Sequence, residues 1–179
     1  MSLSFYVHIP YCIKRCGYCD FNTYTPSELQ DGATLEIVSN DYIDAVLREL
    51  EAATTDTVPT IFFGGGTPSL LPAHDLGRVI AAIKARNGVT DNCEITLEAN
   101  PDSVTAEKLQ QYIEVGFNRI SFGMQSAMPH VLAVLDRTHD PANVEKAITM
   151  ARSAGFASIS VDLIYGTPGE SLEDWRETV

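Results

Sequence analysis

Long hydrophobic runs are missing from this chain. No uninterrupted apolar stretch approaches the roughly 18 residues that a membrane-spanning helix needs, so no transmembrane segment is expected. Basic residues are scarce: 12 Lys and Arg stand against 24 Asp and Glu, a formal net charge of −12. A chain this acidic, with no Lys/Arg stripe, is not expected to bind nucleic acid, whose phosphates call for clustered cations. The opening MSLSFYVHIP holds neither a basic segment nor a small-residue cleavage site, so it does not read as a signal peptide. Cysteine is sparse too, with 4 in 179 residues, and three of them fall between positions 12 and 19. That clustering excludes a disulfide framework. It fits a metal site in a reducing, cytoplasmic setting.

What is present is ordinary for one soluble globular domain, with 45% hydrophobic and 20% charged residues. Short apolar runs suited to buried parallel strands are Phe5–Ile9, Thr60–Phe63, Glu94–Leu97, Arg119–Phe122 and Ser158–Ile164. Helical stripes lie between them. Tyr42, Ile43, Val46, Leu47 and Leu50 form one; Leu76, Val79, Ile80 and Ile83, closed by Asn87-Gly88, form another. Leu109, Tyr112 and Ile113 end at Gly116, and Val144, Ala147, Ile148 and Ala151 run from Asp140-Pro141 to Gly155. Alternating strand and helix predicts a parallel sheet with right-handed crossovers. VGFNRISF (115–122) and AGFASISV (154–161) match in pattern at an offset of 39 residues, about one βα unit. The fold class is therefore α/β, a parallel (β/α) barrel or partial barrel. The polar segment Asn22–Ser39 reads as a loop. The closing SLEDWRETV reads as a helix just begun, with Ser171 as N-cap and Glu173 and Asp174 in the first turn. The expectation is that 1–179 is the N-terminal part of a longer core, cut after about five βα units.

The polar residues fall at one end of the strands. Cys12, Cys16 and Cys19 follow the first, Gly64-Gly65-Gly66-Thr67 the second, Glu98 ends the third, Gln125 sits past the fourth and Asp162 lies near the end of the fifth. The C-terminal rim is where β/α barrels build their sites. The spacing C-x3-C-x2-C places three thiols in one short loop. Three thiolates can hold three irons of a [4Fe–4S] cluster and leave the fourth open. A Cys3His zinc site using His8 or another histidine is the rival reading.

The segments YVHIPYCIKRCGYCDF, FFGGGTPSLL, LEANPDS, GFNRISFGMQS, VLDRTH and DLIYGTPGES together resemble the radical S-adenosylmethionine (SAM) superfamily. Within it they are similar to the branch that holds oxygen-independent coproporphyrinogen III dehydrogenases and HemW-type heme chaperones. The resemblance implies a radical SAM partial barrel, with a cluster loop at about 10–24 and a further part of the barrel and a C-terminal domain outside this chain. It implies a [4Fe–4S] cluster on Cys12, Cys16 and Cys19, with SAM chelating the open iron and reductive cleavage giving a 5′-deoxyadenosyl radical. Tyr6 and Tyr18 match SAM-contacting aromatic positions. Gly65, Gly66 and Thr67 match the glycine motif beside the methionyl end, where a missing Cβ lets backbone approach and N–H groups can meet a carboxylate. Glu98, Gln125, Arg137 and Asp162 match polar residues lining the SAM sites.

Blander readings stand beside these. The glycines suit a strand-to-loop turn, Glu98 a charge near Asn100-Pro101, and Arg137 an ordinary surface position. Asp162 inside the apolar run SVDLIYG is costly unless paired. Cys93 reads as a small core residue, His8 as structural, His74, His130 and His139 as loop or helix-end residues, and Trp175 as helix packing. Two functions share the core that the resemblance implies. One is decarboxylation of coproporphyrinogen III to protoporphyrinogen IX. The other is binding of heme as cargo and its transfer to an acceptor protein, with cluster and SAM retained. The dehydrogenases show a fourth cysteine two residues after the third, where this chain has Phe21, and a longer N-terminal leader. Both departures favour the heme chaperone. An RNA-modifying radical SAM enzyme shares the cysteine motif but not the acidic charge or the heme-branch motifs.

Overall fold

In the computed structural model, which describes residues 4–29, 35–53 and 56–179, five strands pair in parallel in sequence order. They are β1 (Phe5–Ile9), β2 (Val58–Gly65), β3 (Val89–Ala99), β4 (Arg119–Gln125) and β5 (Ser158–Leu163). The helices are α1 (Leu35–Leu50), α2 (Ala73–Asn87), α3 (Ala106–Val115), α4 (Pro129–Val134), α5 (Pro141–Ala154) and α6 (Leu172–Thr178). Strictly sequential order means that every crossover winds the same way, as in a β/α barrel. A doubly wound sheet would reverse.

The register shows why the helices gather on one side. Val7, Phe63, Leu97, Ile120 and Ile159 form one row across the sheet, with Phe5, Ile61 and Ile95 in a neighbouring row on the same face. These join one apolar core with Ile43, Leu76, Val79, Ile80, Ile83, Leu109, Tyr112, Ala147 and Ala151 from the helices. The opposite face carries Tyr6, Phe62, Thr96, Arg119 and Ser158 in one row and Glu98, Ser121 and Ser160 in another. Because side chains alternate along a strand, the sequence sorts itself into an apolar helix-covered face and a polar open one.

Local chemistry fixes the helix ends. Asp140 caps α5 by accepting from the Ala142 N–H at 2.9 Å, with Pro141 in the first turn, and Gly155 closes it in the left-handed conformation. Thr105 caps α3, and Gly116 ends it in the same conformation. Ser171 and Asp174 form a reciprocal capping box on α6, as its acidic start predicts. Tyr112 is fully buried, and its hydroxyl donates toward the carbonyls of Ser69 and Leu71 at 3.0 and 2.9 Å. At the free edge of the sheet, the Tyr42 hydroxyl donates to the His8 carbonyl at 2.5 Å.

Three expectations need correction. Helix α1 begins at Leu35 and so takes in the end of the segment read as loop; residues 30–34 of that segment lie outside the described residues. The short α4 was not expected, since six residues are too few to display a period. Strand β3 runs from Val89, well before Glu94, because Val89 pairs with Val58 and the ladder resumes at Glu94 after a register shift, while Thr90, Asp91 and Asn92 face solvent and break the apolar run. Among the described residues, no helix is long and apolar enough to cross a membrane.

Ile120 is central to the helix-covered face and has no solvent exposure. Ile120→Ala is expected to lower unfolding stability by about 2–5 kcal/mol, read as a lower denaturant midpoint at unchanged slope.

Candidate functional site

The polar strand ends meet at a cavity of about 470 Å³. Its wall includes Cys12, Cys16, Tyr18, Cys19, Gly65, Gly66, Thr67, Glu98, Gln125, Arg137 and Asp162, so eleven of the twelve residues singled out from the sequence converge there. The volume suits a cofactor-sized ligand. Tyr6 is the exception. It lies on the polar face of β1, its ring stacked on Phe62 and its hydroxyl 3.3 Å from His8 Nδ1, outside the cavity wall.

The cysteine loop is closed on itself and docked at its far side. Tyr11 and Tyr24 form a β-bridge, Cys12 N–H donates to the Tyr24 carbonyl at 3.1 Å, and Tyr24 N–H donates to the Pro10 carbonyl at 2.6 Å. Arg15 crosses the loop to the Thr23 carbonyl and the Glu28 carboxylate. The far side rests on the turn after α4: Gly17 N–H donates to the Leu135 carbonyl at 3.2 Å, Lys14 pairs with Asp136 at 3.7 Å, and Arg137 reaches Cys16 Sγ at 3.5 Å. The Thr67 hydroxyl donates weakly to Cys12 Sγ at 3.8 Å. Burial pushes the Cys12 thiol above its ordinary pKa, against which the Thr67 contact works. Tyr18 is pushed up to about 12 by burial first and by Cys16 second.

Gly65 and Gly66 are required by close approach. Gly65 has φ +108°, and a Cβ there would sit 2.5 Å from the His8 ring. A Cβ on Gly66 would fall 2.6 Å from the Tyr11 carbonyl oxygen and 2.8 Å from that of Ile9, both backbone. The expectation that their N–H groups meet a ligand carboxylate is corrected. Gly66 N–H donates to the Ile9 carbonyl at 2.7 Å and Thr67 N–H to the Tyr11 carbonyl at 2.8 Å, while Gly65 N–H donates to Glu98 Oε2 at 3.1 Å. The motif clamps β2 to the root of the cysteine loop and steadies Glu98.

The cavity wall carries four carboxylates, Glu98, Asp102, Asp136 and Asp162, and two cations, Lys14 and Arg137. Glu98 is pushed above the ordinary carboxylate range, chiefly by burial, with the Gly65 bond opposing and Asp162 adding to the rise. Arg137 donates to the Gly123 carbonyl at 2.7 Å, to Cys16 Sγ and to His139 Nδ1 at 3.4 Å, which leaves one N–H on each terminal nitrogen. Gln125 is buried at φ 66°, a left-handed conformation that costs a non-glycine residue about 1–3 kcal/mol. It sits beyond a register shift in β4 that turns its side chain toward Gly123 and Arg137. Sequence reasoning missed Gly123, where a Cβ would lie 2.9 Å from Gln125 Nε2 and 3.3 Å from Arg137 NH2. A glycine inside a strand was the available signal. It also missed His139, which is buried behind Arg137.

The donor set suits an iron–sulfur cluster. Three soft thiol side chains face one cavity, and Cys93 lies apart from it in β3. His8 is ill placed as a zinc ligand: its Nε2 lies 2.9 Å from the Asn22 carbonyl and its Nδ1 meets Tyr6. Among the described residues, no three His, Cys, Asp or Glu side chains converge as a single metal ion requires. A cluster presents its irons at separate corners and has no such requirement.

A model of the radical SAM superfamily matches residues 6–179. The chain belongs to this superfamily. The heme chaperone HemW of Mycobacterium tuberculosis is 45% identical over 179 residues, covering 97% of this chain and 44% of the relative. HemW of Escherichia coli is 38% identical over 176 residues, covering 96% and 45%. The solved structure of Escherichia coli coproporphyrinogen III oxidase (HemN), a radical SAM enzyme, superposes with a TM-score of 0.84 at 29% identity, covering 99% of this chain and 40% of that one. The chain spans less than half the length of these relatives.

Glu98 gives the site a pH signature. Its folded pKa is raised, so the folded state binds the proton more tightly than the unfolded state. Stability is then expected to fall as pH rises from the ordinary carboxylate range through the raised folded value. Denaturant midpoints measured across that window should decline in the natural protein, and Glu98→Gln should remove its share of the decline.

Proposed function

We propose that the chain forms part of a heme chaperone that carries a [4Fe–4S] cluster and SAM and passes heme to an acceptor protein. The observation that carries this reading is the joining of three loop thiols to Glu98, Gln125, Arg137 and Asp162 around one cavity at the C-terminal ends of parallel strands. Cys12, Cys16 and Cys19 would hold the cluster and leave one iron for SAM. The two open N–H groups of Arg137 suit the SAM carboxylate, and Glu98 and Asp162 suit its ammonium or ribose hydroxyls. Gly65, Gly66 and Thr67 support the site from behind, Tyr18 offers an aromatic wall, and Tyr6 acts through His8 on the root of the loop. When bound, cluster and SAM supply the redox chemistry. The chain's own residues bind, orient and shield them. The proposed compartment is the cytoplasm, in keeping with four free cysteines.

Phe21 favours chaperone over dehydrogenase. It stands where the dehydrogenases carry a further cysteine, lines the cavity mouth and is 60% exposed. The dehydrogenase reading is supported by the likeness to HemN. Anaerobic reconstitution of the full-length protein should yield about four irons per chain, and Cys16→Ala should lose most of them. Unchanged iron and sulfide in that variant would overturn the ligand assignment. Incubation with SAM, a low-potential reductant and coproporphyrinogen III should leave the porphyrinogen mass unchanged, while heme-loaded protein should transfer heme to an apo-acceptor. Loss of two carboxyl groups from the porphyrinogen would instead establish the dehydrogenase.

A further inference from the structure

The polar face of the last two strands carries more order than a solvated surface needs. Along β4 and β5, alternate positions hold Arg119, Ser121 and Gly123, and Ser158, Ser160 and Asp162. The parallel register sets Ser121 opposite Ser160 and Gly123 opposite Asp162. Within this array, Arg119 NH2 donates to Ser160 Oγ at 3.1 Å, Ser160 Oγ donates to Ser121 Oγ at 2.9 Å, and Ser121 Oγ donates to Asp162 Oδ1 at 3.0 Å. At its root, Arg119 NH1 is held by Glu94 Oε1 at 3.2 Å.

The direction of this column is fixed by its ends. A guanidinium can only donate, and the carboxylate at the other end accepts. Both serine protons must therefore point toward Asp162, with no alternative arrangement of the two hydroxyls. Each bond in such a chain polarises the next. Asp162 has need of this. A carboxylate turns freely about its last torsion unless a donor holds it. One donor on Oδ1 sets the plane of the carboxylate before any ligand arrives.

We infer that Arg119, Ser160 and Ser121 are positioning residues that orient Asp162 for the ligand in the cavity, with Ser121 as the last link. The inference rests on the reading of that ligand as SAM, whose ribose hydroxyls or ammonium the carboxylate would meet. Pre-orientation removes part of the ordering cost of binding. Losing the Ser121 donor leaves the carboxylate to be ordered on binding, which should weaken binding by about twofold to tenfold.

The test is calorimetric titration of SAM into the anaerobic, cluster-loaded protein, with thermal unfolding of each variant as a fold control. Ser121→Ala should raise the SAM Kd by about twofold to tenfold, with a cooperative unfolding transition retained at a modestly lower midpoint. Ser121→Thr, which keeps the hydroxyl, should restore near-natural affinity. Ser160→Ala should weaken binding in the same direction by less. In an Asp162→Asn background, Ser121→Ala should add little, because the two act as one unit. Full additivity of the two losses, or an unchanged Kd in Ser121→Ala, would show the column to be structural only. Failure of the natural, cluster-loaded protein to bind SAM would overturn the cofactor reading itself, and the inference with it.

Discussion

Everything in this structure depends on the two-faced pleat. The strands set Val7, Phe63, Leu97, Ile120 and Ile159 on one side and Tyr6, Thr96, Glu98, Arg119 and Ser121 on the other. Hydrocarbon on the first side draws α1, α2, α3 and α5 onto it, since each buried aliphatic side chain contributes about 1.5–3 kcal/mol. The same helices could not cover the second side without stranding charged and hydroxyl groups away from water. The polar face is therefore left open, and the loops that follow the strands converge over its end.

Much of this was legible in the sequence, for identifiable reasons. The apolar runs of β1, β4 and β5 and the stripes of α2, α3 and α5 stand out because a single partner, the core, dictates their period. Asp140-Pro141, Gly155 and Gly116 marked helix ends because capping is local chemistry. Early β3 and α4 were hidden. One is an irregular stretch whose exposed polar residues follow a single pairing at Val89, and the other is too short for a period. At the site, the residue types were legible and their partners were not. The loop N–H groups beside Gly65 and Gly66 are taken up by β1, its loop and Glu98, contacts that arise only from the three-dimensional crossing of chain segments. His139 and Ser121 were invisible for the same reason, since each owes its place to a neighbour on another element or turn.

The cavity joins a rigid wall to a tethered loop. The sheet supplies Glu98, Gln125 and Asp162 from strand ends whose positions the core fixes. The thiols come from a loop held at its root by Tyr24 and at its tip by the turn after α4. Arg137 joins the two, touching Gly123 on the sheet and Cys16 on the loop. The strained backbone of Gln125 fits this division, because the surrounding β4–β5 pairing, which includes Ile164 N–H on the Gln125 carbonyl at 2.9 Å, holds that residue in place.

The Tyr42 hydroxyl on the His8 carbonyl has a consequence for assembly. An outward carbonyl on an edge strand is an invitation to a neighbouring chain, and here a side chain from α1 has answered it. That bond takes up an acceptor through which a further strand would pair at β1, so the sheet border from which the cysteine loop departs is closed at that point by the chain's own helix.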